Sequence, residues 1–164
     1  MPLFIDASAL VKLYRAEDGS QAMHDIAGRS DEWGDPFISD HVALEVVSTL
    51  AARYRGGELS REQYAEAMRE FDIDYPHRFN VVEVGPDAVE RAIVLSRTYF
   101  DSGTKTMDLI HVVSARLVAD VEDYPVVVVS CDKGMKALAM RLGFDVFDPL
   151  SDDLHALTPL RLGL

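Results

Sequence analysis

Four carboxylates occupy positions that ordinary surface acids do not. Asp6 directly follows the apolar stretch Leu3-Phe4-Ile5, and Asp132 follows the valine run 126–129 after Ser130 and Cys131. Glu45 lies in an apolar helical stretch, on a strip with His41, Ser48, Thr49 and Ala52 that is small rather than charged. Asp108 opens Asp108-Leu109-Ile110-His111-Val112-Val113, apolar nearly all round and so expected to be buried. Buried carboxylates are costly unless paired or metal-bound. Apart from Lys133 beside Asp132, the sequence offers these four no obvious basic partner. Acids crowded in one cleft raise one another's pKa, a conflict that a divalent cation relieves. An all-oxygen set points to Mg2+ or Mn2+ rather than Zn2+, which favours Cys and His. A blander account stays open for each. Asp6 and Asp132 suit helix N-caps, Glu45 an exposed stripe, and Asp108 the first turn of a helix, where the dipole favours an anion. His111, three residues after Asp108 on the same face, reads as a structural histidine.

The elements that must position these acids alternate between short apolar runs and helical stretches. Pro2 to Ile5 predicts a buried strand, Ser8 an N-cap, and Ala9 to Tyr14 the first helical turns. A helix is predicted from Ser20 to Ala27, a strand at Phe37-Ile38, and a helix from Val42 to Arg55 capped by Ser39 or Asp40. Ser60 with Gln63 forms a capping-box pattern for a helix to Phe71. Val81 to Val84 reads as a strand, and Gly85-Pro86-Asp87 as the turn into a helix from Ala88 to Tyr99. After the loop Asp101-Ser102-Gly103, Thr104 or Thr106 is expected to cap a helix to Ala119. Val126 to Val129 has the composition of a buried parallel strand. A helix from Lys133 to Leu142 ends at Gly143, before a short strand at Val146-Phe147. This alternation predicts an α/β domain with a mostly parallel sheet flanked by helices. Ligands in such sheets bind beyond the carboxyl ends of the strands, where Asp6 and Asp132 are expected.

Bulk properties narrow the classes. The 164 residues suit one domain, with 48% hydrophobic and 27% charged residues, which excludes a disordered or collagen-like chain. No apolar run approaches the roughly 18 residues of a membrane span. Met1 to Asp6 shows no basic leader, and the lone Cys131 permits no internal disulfide, so a cytoplasmic location is expected. The net charge of -12 opposes binding to phosphates.

The segment Leu3-Phe4-Ile5-Asp6-Ala7-Ser8-Ala9-Leu10-Val11-Lys12-Leu13-Tyr14 resembles the opening of PIN-domain ribonucleases, in particular the VapC-like toxins. Ser39 to Val46, Met107 to Ala115, Val127 to Met135 and Ala139 to Phe144 resemble later segments of that family, in its order. The resemblance spans about residues 3–148 and implies a single PIN-like domain over 1–148, with 149–164 as a tail packed on it. It implies a Mg2+- or Mn2+-dependent endoribonuclease in which Asp6, Glu45, Asp108 and Asp132 are catalytic and hold metal. It also implies Ser8 and Ser130 as accessory hydroxyls, a cognate antitoxin, and a homodimer. Lys12, Arg15, Arg53 and Arg55, near the first two site segments, are the expected RNA contacts, although a solvated surface role suits them too. Two other classes remain. One is a binding or scaffold module that keeps the fold without the chemistry. The other is an aspartyl phosphatase of the haloacid dehalogenase type, which also opens with a strand ending in Asp but needs an acid where this chain has Ser8.

Overall fold

In the computed structural model, which describes residues 1–157 except Ser102, Asp123 and the Ala156 side chain, the short apolar runs become three-residue strands. These are β1 (Leu3–Ile5), β2 (Phe37–Ser39), β3 (Asn80–Val82), β4 (Val127–Val129) and β5 (Asp145–Phe147). All pairings are parallel, in the order β3-β2-β1-β4-β5. Every residue of β1 and β4 is buried, as a strand covered on both faces requires. Alternation divides their side chains between two cores. Leu3, Ile5, Val127 and Val129 enter one, Phe4 and Val128 the other.

The first core packs beneath α1 (Ala7–Leu10), a 3-10 turn (Val11–Leu13), α2 (Ser20–Ala27), α3 (Ser30–Trp33), α4 (His41–Arg55) and α5 (Arg61–Arg78). The second packs beneath α6 (Pro86–Thr98), α7 (Thr106–Val121) and α8 (Lys133–Arg141). Among the described residues no helix is long and apolar enough to cross a membrane.

Several boundaries differ from the sequence reading. Asp6, not Ser8, is the N-cap of α1, because its carboxylate accepts from the Ala9 amide at 3.1 Å. Ser8 lies within the helix, its hydroxyl free to turn toward β4. Helix α3 has no counterpart in the predicted elements, and its four residues are too short to carry a helical period. Helix α5 keeps its capping box, Ser60 accepting from the Gln63 amide, but runs past Phe71 to Arg78. Its last turns are polar and hide the helix from hydrophobic periodicity. They are held by Asp74, which pairs with Arg78 at 3.0 Å and accepts from the Tyr14 hydroxyl at 3.2 Å. Pro76 faces solvent there. The N-cap of α7 is Lys105 rather than Thr104 or Thr106. Gly143 follows α8 with φ of 83°, a left-handed turn that glycine adopts without strain.

Pro149 is buried, a 3-10 turn spans Leu154–Leu157, and Leu157 enters the first core. Asp148, ion-paired with Lys136, anchors the start of this segment. The remainder of the expected tail, 158–164, lies outside the described residues.

Candidate active site

Parallel strands bring their carboxyl ends to one edge. The Asp6 amide donates to the Val129 carbonyl at 3.1 Å, and the Ser130 amide to the Phe147 carbonyl at 3.0 Å. The residues just beyond β1 and β4 are therefore neighbours. Asp6 is 3% exposed, yet both its oxygens are satisfied. Oδ1 accepts from the Ser8 hydroxyl at 2.8 Å, and Oδ2 from the Ser130 hydroxyl at 2.8 Å. Ser8 in turn accepts from the amides of Cys131 and Asp132, so it ties the β4 loop to the β1 loop. Burial pushes the Asp6 carboxyl above the ordinary carboxylate range, against the lowering effect of these hydrogen bonds.

Asp108 stands in the first turn of α7 and is 6% exposed. Its Oδ2 accepts from the Lys105 amide at 3.2 Å, which satisfies one of the donors that a helix start leaves open. Burial raises its pKa, and the charge of Asp132 adds to the rise. Asp132 caps α8, with Oδ1 accepting from Gly134 at 2.7 Å and Met135 at 3.2 Å. Its Oδ2 meets the Lys105 ammonium at 2.6 Å. Burial pushes this carboxyl up, but the Lys105 contact and the two amides outweigh it and hold the group below the usual range. The expected partner Lys133 is exposed and makes no such contact; the cation comes instead from 27 residues earlier.

Glu45 reaches the same cleft from α4. Its carboxylate pairs with Nε2 of the buried His111, whose Nδ1 lies 2.9 Å from the Ser39 hydroxyl at the end of β2. His111 is thus the satisfied histidine read from the sequence, and it also fixes where Glu45 points.

One cleft of about 470 Å³ is lined by Asp6, Glu45, Asp108 and Asp132 together with Ser8, His111 and Lys105. Of the expected RNA contacts, Lys12 and Arg53 line it, whereas Arg15 and Arg55 do not. Three of these four charges are already engaged. Lys12 pairs with Glu17 at 2.9 Å, Arg15 with Glu17 at 3.2 Å and Glu58 at 3.0 Å, and Arg53 with Glu58 at 2.6 Å. Arg55 is exposed at the end of α4. Burial pushes the neighbouring Cys131 thiol up to about 12, so it is no thiolate nucleophile near neutral pH.

Two site residues escaped the sequence reading. Lys105 had no signal, because its partner is remote in sequence. Gly134 is the other. A Cβ on it would lie 3.2 Å from Asp132 Oδ1 and 3.3 Å from Asp108 Oδ2, so only glycine leaves both carboxylates where they are.

The donor set suits a hard divalent cation. Every acid offers oxygen, and burial, with a smaller contribution from the charge of Asp132, raises the Asp108 pKa, a cost that such a cation would relieve. The acids are not gathered into a finished cage. Among the described residues no three acidic, histidine or cysteine side chains already stand close enough to share an ion. Asp132 and Glu45 are meanwhile occupied by Lys105 and His111.

Comparison with known proteins matches residues 3–140 to the PIN domain. No curated protein sequence matches the chain. Among solved structures, FitAcB from Neisseria gonorrhoeae is similar at 15% identity with a TM-score of 0.61, over 90% of this chain and 97% of that one. FitAB bound to an IR36 DNA fragment is similar at 12% identity with a TM-score of 0.63, over 93% and 99%. VapC20 of Mycobacterium tuberculosis, a sarcin-ricin loop cleaving toxin, is similar at 21% identity with a TM-score of 0.57, over 87% and 95%. These likenesses concern the fold. Together with the all-parallel sheet, the match over residues 3–140 assigns the chain to the PIN domain family.

Proposed function

We propose that the protein is a divalent-metal-dependent endoribonuclease, with Asp6, Glu45, Asp108 and Asp132 holding Mg2+ or Mn2+, and that it serves as the toxin of a toxin–antitoxin pair. The observation that carries the reading is the convergence of four acids from four separate chain segments in one cleft. Burial raises the pKa of two of them, Asp6 and Asp108, so that keeping either ionised costs stability. The toxin role draws on the likeness to VapC20, a sarcin-ricin loop cleaving toxin. An antitoxin partner and a homodimer belong to the same reading.

A divalent ion held by these acids would supply an acidified water as the nucleophile. The chain's own groups prepare the site. Ser8 and Ser130 fix the two oxygens of Asp6, and His111 orients Glu45. The amides of Gly134 and Met135 fix Oδ1 of Asp132. Lys12 and Arg53 line the cleft on the α4 side, and a substrate phosphate there would have to compete with Glu17 and Glu58 for them. Ser8 stands where an aspartyl phosphatase needs its second acid, and membership of the PIN family gives that alternative no ground.

The test is cleavage of a mixed RNA pool with Mg2+, Mn2+ or EDTA, beside Asp6→Asn. Cleavage that needs the metal and is lost in the variant is expected. Intact RNA under every condition, from a folded protein, would favour the scaffold reading.

A further inference from the structure

Lys105 is built into the acidic cleft twice. Its amide donates to Asp108 Oδ2 at 3.2 Å, and its ammonium meets Asp132 Oδ2 at 2.6 Å. One residue therefore contacts two of the four acids. The two contacts differ in permanence. The amide belongs to the start of α7 and cannot leave without unwinding it. The side chain is 70% exposed and crosses solvent to its partner. An exposed pair of this kind changes an equilibrium only about two- to five-fold, so the ammonium is readily displaced. The other cations of the cleft differ. Lys12 is buried and held by both Glu17 and the Asp18 carbonyl, and Arg53 is held by Glu58.

We propose that Lys105 is a resident counter-cation of the site. Its ammonium neutralises Asp132 until a divalent ion takes that carboxylate, and the released side chain then meets a phosphate of the substrate at the mouth of the cleft. This rests on the metal-dependent nuclease reading. It gives that reading a sequence of events: cation exchange first, substrate capture second. With its ammonium on Asp132 Oδ2 and its amide on Asp108 Oδ2, Lys105 is the cation placed against these acids.

The role has an unusual signature, because removing the ammonium acts in opposite directions on the two ligands. Mn2+ binding to the full-length protein is measured by titration calorimetry for the wild type, Lys105→Met and Lys105→Arg. The KM for a mixed-sequence RNA is measured at saturating Mn2+. In Lys105→Met, Mn2+ is expected to bind about two- to five-fold more tightly, while KM rises and kcat falls less. Lys105→Arg, which keeps the charge, is expected to stay near the wild type in both. Unchanged or weaker Mn2+ binding in Lys105→Met, with the wild type binding normally, overturns the role of Lys105 and leaves the nuclease reading intact. Tighter Mn2+ binding with an unchanged KM overturns the exchange as stated. Absence of any Mn2+ binding to the wild type overturns the metal reading itself, and this inference with it. A melting curve without metal checks that both variants fold.

Discussion

At Asp6 burial and hydrogen bonding oppose each other, and burial wins. Its pKa in the fold lies above the ordinary 3.8, so ionising it costs stability. The stabilising contribution is therefore complete below the ordinary carboxylate range and is lost as pH rises through the raised value. Asp108 has the same sign. Asp132 and Asp148 have the opposite one: held low, they stabilise above the ordinary range, and this is lost as pH falls through their depressed values. We expect Asp6→Asn to keep the α1 cap, since Asn caps as well as Asp, and to melt at or above the wild-type temperature without metal. Urea midpoints across about pH 3 to 8 should show a flatter decline on the alkaline side in this variant. Activity should fall at least about 100-fold, because a metal-held site supplies several kcal/mol of barrier lowering. Unfolding of this variant would mean that Asp6 serves the fold alone. The four acids were legible in the sequence because an acid at a strand end, or in an apolar helix, contradicts its surroundings. The hydroxyls and the cation that serve them were less so. Ser8 reads locally as a cap, and its bond to the β4 loop depends on a partner more than a hundred residues away.

Helix starts do much of the positioning. Asp6, Asp108 and Asp132 each stand at or within the first turn of a helix, where open amides fix a carboxylate. In α8 this depends on Gly134. Its backbone is ordinary, so Gly134→Ala should fold normally, but the added methyl must push against Asp132 and Asp108. We expect Mn2+ affinity to fall about ten-fold, a typical effect for a residue that positions metal-holding groups. Titration calorimetry checks this, and unchanged affinity would show that the two acids do not act together. The capping box of α5 gives a contrasting case away from the cleft. Ser60→Ala should cost about 1 kcal/mol in chemical denaturation and leave cleavage unaltered. That box was readable because it is complete within four residues. The end of α5 was not, since Asp74 stabilises it through Tyr14 on another element.

The whole molecule carries a charge of -12, which opposes the phosphate-bearing substrate proposed for its cleft. Part of the conflict lies in the site itself, because two bound Mg2+ ions would add four positive charges. Part lies in the chain Arg53–Glu58–Arg15–Glu17–Lys12, which spends two acids on restraining three cations beside the cleft. The parallel sheet and its layers were readable from alternation alone, because the fully apolar runs at β1 and β4 suit only strands covered on both faces. The restrained cations were not, since pairing across loops leaves no periodic trace. Metal should raise stability by mass action, by about 2.7 kcal/mol at 100 times its dissociation constant. Melting curves with and without Mn2+ test this, and no shift at saturating metal would argue for a scaffold. The neighbouring reading frame should encode a small protein that suppresses the activity. A solitary gene, harmless when overexpressed, would count against the toxin role and leave the nuclease reading standing.

The chemistry of the cut separates the possible mechanisms most directly. Ribonucleases that work without metal activate the RNA's own 2′-hydroxyl, which needs a general base and a general acid, often histidines. Here His111 is buried and committed to Ser39 and Glu45, so a water nucleophile is the better match to the site. Mass spectrometry of fragments made with Mn2+ should find 5′-phosphate and 3′-hydroxyl ends, with cutting retained when the nucleotide at the cut is 2′-deoxy. Fragments ending in a 2′,3′-cyclic phosphate and formed in EDTA would contradict the role given to the four acids.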